Sequence, residues 1–382
     1  MNGSTIHYST AAEHRVEAVA AEAATGNRRL SLRHSERAAE AVRLWRRRIE
    51  EEPADYRLHQ ELGTALYELG RYEEAIGSFL AALRLNANLD EACSKIGCAF
   101  AERGMFEPAV MWFERARKIN PNATKVLQSY GRALVMVGRV QQAAEVYDEW
   151  AKAEPDNPLA NHLSRAAHGS QTTTKASAAY VRRLFDGYAA WFDVSLAKLK
   201  YCGPQLVLNS LQRVAQVPAG GWDILDVGCG TGLVGVCLRS FARQLVGVDL
   251  SAGMLEVARQ RAVYDTLIEA DMFDYLRSHP RSFDILTAAD VLPYLGEVDE
   301  FFRCAAHALK ANGVAVVLAE MLNGDEPYRL NHTGRFSHNA QYLCRAMEDS
   351  GFTIAELRQD AMRHELNRPV PTFVAVALNA CS

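Results

Sequence analysis

Three glycines at alternate positions, Gly228, Gly230 and Gly232, follow an acid, Asp226, in the stretch DILDVGCGTGLVG at residues 223–235. Apolar residues run into this knot and out of it again. The pattern reads as a buried parallel strand, a tight turn and the start of a helix. Such a turn presents backbone N–H groups and a helix N-terminus to a ligand. A dinucleotide fingerprint would place its third glycine three residues after the second. Leu233 holds that position, and the glycine comes at Gly232 instead. Cys229 lies inside the turn. A small residue that fits there is its plain reading, and a reactive thiol is the alternative.

The elements that position this turn alternate. Candidate strands are 223–227, 244–249, 266–270, 283–289, 313–319, 352–358 and 372–378, with helical patterns between most of them, as at 251–262 and 296–310. That alternation predicts an α/β Rossmann-like domain built on a mostly parallel seven-stranded sheet. Ligands of such sheets sit at the C-terminal ends of the strands, near the switch point. Upstream, AAHGSQTTTKASAA at 166–179 is small, polar and without period. It reads as a linker over 166–178, with the second domain running from 179 to 382.

The first half repeats itself. Gly63, Gly97 and Gly131 are spaced by 34 residues, as are Gly70, Gly104 and Gly138, Ala75, Ala109 and Ala143, and the aromatics Phe79, Phe113 and Tyr147. Each unit reads as two amphipathic helices that cannot bury their apolar faces alone, so neighbours must stack into an α-solenoid. The expected layout is a tail over 1–20 and a helical domain over 21–165. That domain holds a capping half-repeat at 21–55 and repeats at 56–89, 90–123 and 124–157.

Composition narrows the function classes. With 49% hydrophobic and 23% charged residues the chain is an ordinary globular one. Its formal net charge is -4. Neither half is basic, so no large phosphate-neutralising surface, and no nucleic-acid partner, is expected. MNGSTIHYST at the start lacks a charged-then-apolar signal pattern, and no apolar run reaches the roughly 18 residues that span a bilayer. A cytoplasmic location away from membranes is expected. None of the 8 cysteines forms a C-x-x-C pair, so no metal site is expected.

The D-x-G-x-G-x-G pattern of Asp226, Gly228, Gly230 and Gly232 resembles the first motif of class I S-adenosylmethionine-dependent methyltransferases. The 34-residue spacing, with Leu62-Gly63, Ile96-Gly97 and Tyr130-Gly131, resembles the tetratricopeptide repeat. Together with AYVRRLFDGYAAWFD (179–193), ADVLPYLG (289–296) and GRFSHNAQYL (334–343), these features resemble a bacterial group of predicted methyltransferases carrying tetratricopeptide repeats. The resemblance implies S-adenosylmethionine as cofactor and S-adenosylhomocysteine as product. It assigns cofactor contacts to Asp226, Gly228, Cys229, Gly230, Gly232, Asp249, Leu250, Asp271, Met272 and Asp290. Asp249 would accept the ribose hydroxyls, a charged acceptor strengthening both bonds. Asp271 would take the adenine amino group with Met272 on the ring, and Asp290 would line the pocket below the methionine moiety.

Acceptor-side candidates follow from the same fold. Tyr180, Tyr188 and Phe192 lie in the helix before the sheet, and Asp290 and Tyr294 follow the fourth strand. Tyr188 is placed to orient or deprotonate an acceptor. Arg335 either binds an acidic substrate group or pairs with a carboxylate. His338 has the ordinary pKa of a general base, near 6.5, and a structural role is its alternative. DVLPY stands where an Asn-Pro-Pro-Tyr-like signature would mark a planar nitrogen acceptor. The reading is methyl transfer to an O or N acceptor, with the repeats recruiting a protein or peptide or joining copies of the chain. The alternative is a repeat scaffold whose cofactor domain is regulatory or inactive.

Overall fold

The computed structural model describes residues 36–170, 172–214 and 220–380. The tail and the first part of the half-repeat, over 1–35, lie outside the described residues. The chain divides into two compact units, one ending at Ser170 and taking in Asn331–Gly334, the other beginning at Gln171.

The N-terminal unit is helical. Helix α1 runs through 36–51. Three pairs follow: α2 (Tyr56–Glu68) with α3 (Tyr72–Leu85), α4 (Asp90–Glu102) with α5 (Phe106–Ile119), and α6 (Leu127–Met136) with α7 (Val140–Ala153); α8 (Pro158–Ala167) closes the series. The repeated glycines have two separate jobs. A Cβ at Gly63, Gly97 or Gly131 would lie 2.7, 2.7 or 2.3 Å from the ring of Phe79, Phe113 or Tyr147. Only glycine lets that aromatic lie against the partner helix's backbone. Gly70, Gly104 and Gly138 instead end the first helix of each pair at φ 71, 72 and 80°, the left-handed conformation that favours glycine there.

The C-terminal unit holds a seven-stranded sheet in the order β3-β2-β1-β4-β5-β9-β8. Its strands are β1 (Trp222–Val227), β2 (Ala242–Asp249), β3 (Thr266–Glu269), β4 (Phe283–Ala288), β5 (Leu309–Glu320), β8 (Phe352–Glu365) and β9 (Arg368–Asn379). The first five are parallel, and β9 runs antiparallel to both β5 and β8. All seven expected strands are present. Alternate residues serve two cores. Leu225, Val227, Val246, Val248 and Leu286 pack with Phe273, Phe301 and Met347 on one face, and Ile224, Leu245 and Ile285 pack with Leu206, Leu211 and Leu238 on the other. Burial of both faces explains the near-continuous apolar runs of the central strands.

Two features depart from expectation. A small hairpin of β6 (Tyr328–Leu330) and β7 (Phe336–His338) fills the segment after β5; strands of three residues are too short to show a period. The stretch expected as a linker over 166–178 is one only in part. Residues 166–167 end α8, and Thr174–Ala176 bonds to the loop after β4. There the N–H groups of Gly296 and Glu297 donate to the Thr174 carbonyl (2.7 and 2.9 Å), and that of Ala176 to Tyr294 (2.9 Å). Among the described residues no helix is long and apolar enough to cross a membrane.

Candidate active site

The glycine turn joins β1 to α12 (Leu233–Leu238), and Gly228, Gly230 and Gly232 take φ 62, 54 and 90°. Any side chain is strained at all three. At Gly228 a Cβ would also meet Val291 at 2.5 Å. The turn is pinned from below and from the side. The Cys229 N–H donates to the Val248 carbonyl (3.1 Å), and the Gly230 N–H donates to Asp249 Oδ2 (2.8 Å). Asp249 therefore ends β2 and braces the turn at once. Its other oxygen accepts the Ser251 N–H (2.9 Å). Burial nevertheless raises its carboxyl above the ordinary range, against the pull of these donors.

A cavity opens over this turn at the C-terminal ends of the strands. Gly228, Cys229, Gly230, Asp249, Leu250, Asp271, Met272, Asp290 and Tyr294 all line it. Asp271 also caps α14 (Met272–Ser278), its Oδ1 accepting the Phe273 N–H at 2.8 Å. The order β3-β2-β1-β4 spreads the three acids across the mouth. Asp271 and Asp249 stand on one side of the glycine turn, and Asp290 stands on the other.

The cover over the cavity is α9 (Ala178–Asp186) and α10 (Phe192–Lys198), joined by a short turn. Phe185, Phe192 and Leu196 line the cavity from above, and Phe185 and Phe192 also pack on Met254 and Val257 of α13 (Ala252–Arg261). Polar latches fix the cover. Asp186 Oδ1 accepts from Ser251 Oγ (2.5 Å) and the Gly253 N–H (3.2 Å). Asp193 accepts from Thr231 Oγ1 of the glycine turn (2.6 Å) and pairs with Arg261, which also donates to the Thr231 carbonyl.

Several expected site residues stand elsewhere. Asp226 is 1% exposed and does not line the cavity. Its oxygens accept from Tyr264 Oη (2.6 Å) and Thr287 Oγ1 (2.9 Å), Thr287 being its register partner on β4. Burial pushes its carboxyl up to about 6. It ties strands together beneath the turn rather than reaching the cavity. Gly232 caps α12 behind the turn, with Tyr264 against it. Tyr180 is buried and Tyr188 exposed, and neither lines the cavity.

His338 is fully buried on β7. Its Nε2 donates to the Leu295 carbonyl (2.8 Å), and burial pushes its pKa down to about 4. It is off the cavity wall, so the geometry favours the structural alternative. Arg335 is held in a partly buried network. It donates to Glu320 (2.5 Å), Asp290 Oδ1 (2.6 Å) and Tyr294 Oη (3.1 Å), and Arg363 shares Glu320 from the far side (2.7 Å). Carboxylate pairing, not substrate capture, occupies its guanidinium. Wall residues without a sequence signal are Lys175, Ala176, Ser177, Tyr201, Pro204 and Phe273. Most lie on loops, where no period or motif exists to point inward.

Residues 225–317 match the family model described as methyltransferase domain, and residues 56–89 match that of the tetratricopeptide repeat. Methyltransferase-like protein 27 of Homo sapiens is 39% identical over 104 residues, 27% of this chain and 40% of that protein. The ubiquinone biosynthesis O-methyltransferase of Xanthomonas campestris pv. campestris (strain B100) is 27% identical over 164 residues, 40% of this chain and 62% of that protein. The chain thus spans less than two thirds of the length of these curated relatives. Among solved structures, an S-adenosylmethionine-dependent methyltransferase from Mesorhizobium loti is 24% identical with a TM-score of 0.38, covering 47% of this chain and 99% of its own. The Burkholderia thailandensis 1,6-didemethyltoxoflavin-N1-methyltransferase with bound S-adenosylhomocysteine is 14% identical with a TM-score of 0.43, covering 52% of this chain and 87% of its own.

Proposed function

From a chain that carries a methyltransferase domain and a tetratricopeptide repeat, we propose an enzyme that transfers a methyl group from S-adenosylmethionine to an O or N acceptor. The observation that carries this reading is one cavity lined by Gly228 and Gly230 of the glycine turn and by Asp249, Asp271 and Asp290. That donor set fits an adenosyl compound. Gly228 and Gly230 let backbone approach the ligand closely, the Asp249 carboxylate suits a pair of vicinal hydroxyls, and Leu250, Met272 and Phe273 offer apolar faces to a flat ring. When bound, the cofactor supplies a methyl group on a sulfonium, a carbon already activated for displacement. The chain's own work is then to orient the acceptor and exclude water. The cover of α9 and α10, latched through Asp186 and Asp193, performs the second task.

The repeats recruit a protein or peptide partner, which is the acceptor or an adaptor to it. The test is incubation of the full chain with methyl-labelled S-adenosylmethionine and a fractionated cell extract. Label should pass to a discrete acceptor and none should pass with Gly228→Ala. Tight cofactor binding with no transfer in any fraction would favour the scaffold reading instead.

A further inference from the structure

The cavity continues on the β4 side of the glycine turn, where Asp290 is the one residue shared with the cofactor contacts. Tyr201, Pro204, Asp290, Tyr294 and Leu295 line it, with Leu196 and Phe192 above. Tyr201 sits in the loop between α10 and α11 (Gly203–Val214) and is firmly held. Its N–H donates to the Leu196 carbonyl (3.0 Å). Its neighbours bond to β8 on both sides: the Cys202 N–H donates to Met362 (2.9 Å), and the Leu199 carbonyl accepts the His364 N–H (2.7 Å). The ring hydroxyl rests against the α-carbon of Gly203, where a Cβ would lie 2.2 Å from it. So placed, Tyr201 Oη has no hydrogen-bond partner among the described residues, and Asp290 is the first of the charges acting on it. Asp290 gives one oxygen to Arg335. Its Oδ2 likewise has no partner among the described residues.

Resting on the methyltransferase reading, we propose that Tyr201 and Asp290 read a neutral hydroxyl on an apolar acceptor, Tyr201 Oη donating to the hydroxyl oxygen and Asp290 Oδ2 accepting its hydrogen. A hydroxyl is both donor and acceptor, as this pair requires. An ammonium group has no lone pair for Tyr201. A carboxylate has no hydrogen for Asp290 and meets its charge; of the nearby cations, Arg335 is taken by Glu320 and Asp290, and Lys175 lies against Glu300 and the Phe273 ring. Burial and the nearby Asp290 charge hold the Tyr201 phenol protonated, which keeps it a donor. The flanking Phe185, Phe192, Leu196 and Leu295 side chains supply an apolar wall for the acceptor's body.

The test uses the full chain saturated with S-adenosylhomocysteine and three probes, phenol, benzylamine and benzoate, titrated by ligand-observed NMR. Phenol should bind, and the other two should bind more weakly or not at all. Tyr201→Phe should weaken phenol binding about three- to tenfold, the loss of one neutral hydrogen bond, while S-adenosylhomocysteine affinity by calorimetry stays within error of wild type. Asp290→Asn should weaken phenol as well. Equal phenol affinity in wild type and Tyr201→Phe would overturn the inference, as would absence of phenol binding or preference for either ionised probe. Failure of wild type to bind S-adenosylhomocysteine would overturn the cofactor reading itself, whatever phenol does.

Discussion

Asp249 and Asp226 end neighbouring strands and do different work. Asp249 faces the cavity and has lone pairs beyond the backbone N–H donors that brace it, so Asp249→Ala should cost cofactor binding about 1.5–3 kcal/mol, read as the affinity for S-adenosylhomocysteine. Asp226 faces away, and its effect is on stability. Folded, it titrates at about 6, against 3.8 for an ordinary aspartate. Its contribution is full below the lower value and is lost as pH rises to the upper. His338 slopes the other way: at about 4 folded against 6.5 ordinarily, its contribution is full above 6.5 and lost as pH falls to about 4. The two oppose each other over the same window. In His338→Gln, stability of the C-terminal unit relative to wild type should therefore rise by on the order of 3 kcal/mol between pH 7 and 4, measured by urea unfolding. A difference independent of pH would refute the burial argument. The spacing of Asp226 before the glycines is legible in the sequence, but its partners are not, because Tyr264 arrives from a loop 38 residues away. Similarly, nothing in the sequence around His338 announces that the Leu295 carbonyl occupies its ring nitrogen.

Elements were legible where a period exists. The 34-residue columns read out the helix pairs because each glycine answers one aromatic on the partner helix. That pairing makes Gly97→Ala costly, about 1–3 kcal/mol for overpacking against Phe113. Gly77, in the middle of α3 with nothing within 4 Å of its Cβ position, should gain about 0.5–1 kcal/mol on change to Ala. Thermal unfolding of the two variants should shift in opposite directions, and equal shifts would contradict the packing account. The cover over the cavity was legible as a helix before the sheet, but its latches were not. Asp193 meets Thr231 and Arg261 across 38 and 68 residues. Because Asp193→Asn keeps the shape and weakens that pair, S-adenosylhomocysteine should dissociate severalfold faster in stopped flow. An unchanged rate would show that the cover opens by another route.

At the scale of the molecule, the chain divides near Ser170, and the polar stretch that reads as a linker supplies Lys175, Ala176 and Ser177 to the cavity wall. Small polar residues describe an extended segment bonded to a loop as well as they describe a free one, and only the partner loop tells them apart. Every wall residue, from Lys175 to Leu295, lies in the C-terminal unit. A fragment starting at Gln171 should therefore bind S-adenosylhomocysteine with the affinity of the full chain. On the proposed reading, the repeats then bear on which acceptor arrives rather than on how the cofactor is held. The most direct measurement is calorimetric titration of S-adenosylhomocysteine into the full chain, wild type beside Asp249→Ala. The account predicts micromolar binding to wild type, weakened about 10- to 100-fold in the variant. No binding to wild type, or equal binding to both, would contradict it.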